Sequence, residues 1–166
     1  MEPDDTIDAI RSQDRWTSAD VDRLRDLSGD FPDDPYLWDT LGDVSQMTDS
    51  SAVGNGFALN CYLNAVRADP DYGPAHNSLG YWHDIAADFL LAKHHFERAI
   101  ELGVGDVARV GLARVLAQMG CSDDASATLD SCDDPAGVSV VELRREIAEG
   151  VWVPYPELDD RNLYGG

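Results

Sequence analysis

The chain has 166 residues, 43% of them apolar, enough for one compact domain or one short repeat array and too many for wholesale disorder. Twelve Lys and Arg stand against 32 Asp and Glu, and the net charge of −20 works against binding nucleic-acid phosphates or anionic membrane surfaces. No apolar stretch is long enough to span a bilayer as a helix.

Of the acids 25 are Asp, and of the bases 11 are Arg. Surfaces of that kind suit concentrated salt, where screening tolerates self-repulsion. A coding bias toward Arg gives the same imbalance, so acidity alone does not define a partner. Three cysteines (Cys61, Cys121, Cys132) form an odd set without metal-type spacing and read as reduced thiols. The opening MEPDDTIDAI is acidic and lacks an apolar h-region, so no secretory leader is expected there and a cytoplasmic location is.

Along the chain, residues 4–14 carry only Ile7 and Ile10 as an apolar face. Thr17 to Asp20 starts a helix that Gly29 is expected to end. Leu24, Leu27 and Pro32 then precede Tyr62, Ala65 and Pro70 by a constant offset, so residues 1–34 read as a worn repeat unit. Trp38, Leu41 and Gly42 open a clear unit, and Ala58, Tyr62 and Ala65 form its second helix. Thr48 to Gly56 is a lengthened turn between them. Leu79-Gly80 with Ala92, Phe96 and Ala99 repeats the pattern, and Leu112-Ala113 with Ala125, Leu129 and Cys132 repeats it again. Small and aromatic residues four apart, then a small one three further on, share one helix face. The small residues let helices approach, and the large ones fill the space between them. Ser139 and Glu142 have capping-box spacing, Val140, Leu143 and Ile147 face one way, and Gly150 stops that helix. Val151 to Gly166 reads as an extended tail from which Trp152 packs back.

Three in-phase copies of this spacing, with the opening W-x2-L-G, resemble the tetratricopeptide repeat (TPR) family. The resemblance implies an all-α fold, a right-handed superhelical array of antiparallel helix pairs (a TPR-like α-solenoid) with a C-terminal capping helix. The units are a degenerate N-terminal one at 1–34 and repeats at 35–72, 73–105 and 106–137. A capping helix at 138–150 and a tail at 151–166 complete the chain. His76 and His83 stand where the family has Trp and Tyr, and Cys132 where it has Ala.

No phosphate loop, dinucleotide fingerprint, nucleophile elbow or H-E-x-x-H helix is present, so no catalytic site and no cofactor are expected. His76 and His83 would lie about 10.5 Å apart along a helix, too far to share one metal ion. They read as repeat-core residues, and His94 and His95, which diverge, place one ring at the surface. Asp pairs such as Asp123-Asp124 read as caps and solvated charge.

What remains is surface recognition. In the family the first helix of each unit lines a concave groove. The positions here that resemble groove-lining ones are Tyr36, Asp39, Asp43 and Met47, then Asn77, Tyr81, Asp84 and Ile85, then Val107, Val110, Arg114 and Gln118. A chaperone co-factor subset clamps a C-terminal carboxylate there with Lys, Arg and Asn. Asp39 and Asp43 replace those bases, so the groove favours another protein's Arg- or Lys-bearing segment. The alternative is a structural self-assembly unit whose tail docks on a neighbouring subunit, so either a monomer or a weak homodimer is expected.

Overall fold

A computed structural model describes residues 3–48 and 56–152. Among these the regular structure is entirely α-helical, in the order α1 (Pro3–Arg11), α2 (Ser18–Asp30), α3 (Pro35–Met47), α4 (Phe57–Ala68), α5 (Gly73–Ile85), α6 (Phe89–Glu101), α7 (Asp106–Gln118), α8 (Ser122–Asp130) and α9 (Val138–Ala148). The chain divides into two compact units, Met1–Leu79 and Gly80–Gly166, with the division inside α5.

In the first unit, α3 packs against α4, and both α1 and α2 rest on α3. Ile7 and Ile10 of α1 are fully buried with Leu24, Leu37, Leu41 and Val44. Asp34 caps α3 by accepting a hydrogen bond from the Leu37 N–H at 3.1 Å, with Pro35 preset for the first turn. Gly42 lies against the Tyr62 ring, where a Cβ would come within 2.4 Å of Cε1. The Leu-Gly spacing seen in the sequence is therefore a slot for a ring.

In the second unit α7 packs on α6, α8 and α9. Ala92, Phe96, Ala99, Ala125 and Leu129 are fully buried there, as their spacing predicts, and Cys132 is nearly so. Ala99→Leu is expected to overpack this core and cost about 1–3 kcal/mol, read as a lowered urea midpoint. Trp152 packs back on the same core and donates its indole N–H to Glu146 at 3.2 Å.

Two helix ends differ from the sequence expectation. Gly29 lies within the last turn of α2, which runs to Asp30 and closes with the Phe31 N–H donating to the Leu27 carbonyl. Pro32 is the true stop, because it forces the residue before it out of helical geometry. Ser139 does not cap α9, which starts after Gly137. The cause is Asp106, whose carboxylate accepts the N–H groups of Asp133 and Asp134, each at 2.8 Å, and sets the chain direction ahead of Gly137. Gly150 ends α9 in the left-handed region, at φ +68°. Residues 49–55 of the lengthened turn and residues 153–166 of the tail lie outside the described residues.

Candidate functional site

The residues expected to recognise a partner fall in two clusters, one in each unit. In the first unit Tyr36, Thr40 and Asp43 follow one another at helical spacing along α3. Tyr36 donates its hydroxyl to Asp8 at 2.7 Å. Burial first, then this bond to a carboxylate, pushes the phenol up to about 12. Arg11, the last residue of α1, lies over the Tyr36 ring at 5.4 Å, donates to the Thr40 hydroxyl at 2.8 Å and stands 3.6 Å from an Asp43 oxygen.

Asp39 lies one turn before Asp43. It was expected at the surface and is only 2% exposed. It accepts a hydrogen bond from Ser78, yet its Oδ1 has no partner. Burial, then the nearby charge of Asp43, lifts its carboxyl to about 7. Burial raises Asp43 as well, against the pull of Arg11 and of a hydrogen bond from Tyr62. The Tyr62 hydroxyl lies 3.1 Å from Asp43 Oδ1 and 2.9 Å from Gln46 Oε1, and its one proton serves one of them at a time. Tyr72 is half-buried, and its phenol is raised by burial and then by the Asp39 charge. Met47 is 75% exposed at the end of the helix. Asn77 is half-buried, with its side-chain oxygen buried and unpartnered.

In the second unit Tyr81 meets Phe96 edge-on at 4.9 Å and donates to the Val107 carbonyl at 3.1 Å. Arg114 lies over the Tyr81 ring at 5.2 Å. Its Nε and Nη2 both donate to Asp84 Oδ2, at 2.9 and 2.5 Å, and Gln118 donates to Asp84 Oδ1 at 2.7 Å. Both oxygens of Asp84 are thus occupied within the unit. Arg114 and Gln118, expected as groove contacts, are engaged in holding it. Ile85 and Val107 are exposed and Val110 is half-buried.

His76 is buried, with Nε2 3.1 Å from the Pro70 carbonyl. His83 stacks on His95 with centroids 5.5 Å apart and lies 3.5 Å from Asp88. Among the described residues no three His, Cys, Asp or Glu groups converge as a metal site would need. Cys61 and Cys132 are buried free thiols, and burial pushes Cys61 up to about 12. No described helix is long and apolar enough to cross a membrane.

Sequence reasoning missed Arg11, Thr40, Tyr62 and Tyr72. The stripe of Tyr36, Thr40 and Asp43 was visible in the spacing. Arg11 was visible only as the one base within the acidic first 14 residues.

Helix pairs clamped by a glycine against an aromatic ring, Gly42 on Tyr62 and Gly80 on Phe96, fit a tetratricopeptide-like helical repeat fold. Among solved structures the chain is similar to a thermophilic TPR protein of Thermus thermophilus. The TM-score is 0.64 at 20% identity, covering 81% of this chain and 72% of that one. The sequence matches no protein-family model and no curated protein.

Proposed function

We propose that the chain is a non-catalytic protein-interaction module, and that α3 receives a basic side chain of a partner segment. One observation carries this reading. Asp39 and Asp43 are two desolvated carboxylates one helical turn apart, and among the described residues Arg11 is the one cation paired with them. That face carries an excess of carboxyls over cations, and because burial holds both carboxyls above their ordinary range, a partner's cation that favours their charged form gains more there than it does in open water. Asp84 offers no such excess, because Arg114 and Gln118 already hold both its oxygens.

A panel of Arg- and Lys-bearing peptides should include binders with micromolar affinity, about −8 kcal/mol. Asp39→Asn with Asp43→Asn should weaken them about tenfold in a fluorescence titration. Unchanged affinity ends the reading.

A second reading rests on apolar exposure in and after α9. Val138 is 73%, Val141 50% and Val151 57% exposed. In it the chain self-assembles through its C-terminal tail, residues 151–166, docking on a neighbouring copy. Light scattering of the full chain against one ending at Trp152 separates the two: equal masses over a concentration series leave only partner binding.

A further inference from the structure

The Arg11 contacts go further than charge balance, because they show which cation α3 is built to hold. We propose that Tyr36, Thr40 and Asp43 form a guanidinium cradle, that Arg11 is its internal occupant, and that a partner's arginine binds by taking Arg11's place. This rests on the interaction reading given above and specifies both its ligand chemistry and its regulation.

The cradle lies along one stripe of α3, so a planar cation meets a ring face, a hydroxyl acceptor and a carboxylate in sequence. Guanidinium fits that combination. It stacks on an aromatic face and presents donors in a fixed plane, whereas an ammonium is a compact point charge. The partner residue is therefore arginine rather than lysine.

The present occupant is loosely held. A single nitrogen, Nη1, makes both polar contacts, and its 3.6 Å separation from Asp43 exceeds the 2.7–2.9 Å of a charge-assisted hydrogen bond. The Arg11 side chain is 36% exposed. Arg114 in the second unit shows the fully engaged form of the same arrangement. There two nitrogens sit on Asp84 at 2.9 and 2.5 Å, and the Asp84 side chain is only 7% exposed against 29% for Asp43.

Beside the first cradle Asp39 Oδ1 is buried and has no hydrogen-bond partner. Arg11 leaves by a side-chain rotation alone, since α1 stays anchored by its fully buried Ile7 and Ile10. The N-terminal helix thus sets a threshold that any arginine from outside has to exceed.

The test is a two-dimensional NMR titration of the full chain with Nα-acetyl-arginine amide, with the lysine and citrulline analogues as controls. The wild type should bind the arginine probe weakly along α3. Arg11→Gln, which keeps a donor for Thr40 and loses the charge, should bind it at least fivefold more tightly. Arg11→Lys should fall between the two, and it provides the comparison should the glutamine variant not fold. The lysine analogue should bind more weakly and the citrulline analogue not at all. Adding Asp43→Asn to either Arg11 variant should abolish the gain. Arg11 variants that bind no more tightly than wild type would overturn the competition while leaving the interaction reading in place. Absence of arginine binding along α3 in every form would overturn both.

Discussion

Phe96→Ala is expected to cost about 3–5 kcal/mol, the range for buried aromatic truncations. The ring is fully buried and lies between two glycines from different helices. A Cβ on Gly80 would stand 2.7 Å from its Cδ1 and Cε1, and one on Gly111 would stand 2.4 Å from Cε1. Tyr81 closes on it edge-to-face. A cavity at this point would have little to collapse into it, because neither flanking glycine has a side chain that could swing inward. The cost of the cavity therefore adds to the lost transfer free energy. Urea unfolding followed by circular dichroism checks it. A loss below about 1 kcal/mol would mean that the helices close the gap themselves.

The second large effect is in pH. Burial and then Asp43 disfavour the Asp39 charge and lift its carboxyl to about 7 in the folded chain. In the unfolded chain it titrates near the usual ~3.9. Between those values the folded state holds a proton that the unfolded state has released. Its stabilising contribution is complete below about pH 4 and is lost as pH rises through about 7. Asp39→Asn should flatten this decline and raise stability at pH 8 by on the order of 2 kcal/mol. Asp20 and Asp106 work in the opposite sense. Asp20 is lowered chiefly by the Thr17 hydroxyl, and Asp106 by the N–H groups of Asp134 and Asp133. Their contributions are present above the usual carboxylate range and are lost only as pH falls through their lowered values, so the two windows are separate. Unfolding curves from pH 4 to 8 for both proteins are the measurement. Parallel curves would show that Asp39 is not the titrating group.

The repeat architecture was legible because it depends on local spacing. The Ala58, Tyr62, Ala65 set and its successors appear as a period in the sequence, and the helices follow from it. Helix ends were less legible where a distant group decides them. Ser139 has the right neighbours for a cap, and Asp106, more than 30 residues earlier, sets the chain so that α9 begins without it. The candidate site shows the same division. Positions such as Asp39 and Asp84 could be assigned to the first helices, but their burial and pairing could not. The Arg11–Thr40 and Asp84–Arg114 bonds join residues 29 and 30 apart, and a sequence pattern carries no sign of which base closes on which acid. The Asp84–Gln118 bond spans 34 residues, one repeat period, so its two ends hold equivalent positions in successive repeats, but the period does not say that they bond.

Tyr62 and Phe96 occupy equivalent slots, each against a glycine of the preceding helix, and they differ by a single oxygen atom. In the first unit that oxygen reaches Asp43 and Gln46, so the ring that seals the helix pair also supports the acidic face. In the second unit the ring is packed by Gly80, Gly111 and Tyr81 and carries no hydroxyl. The copies have therefore ceased to be interchangeable parts. A chimaera built by duplicating either unit would inherit a mismatch at this slot. Two copies of the second would lack the hydroxyl that steadies the acids, and two copies of the first would repeat a buried, charge-strained pair. The order of the units along the chain is part of what the sequence encodes.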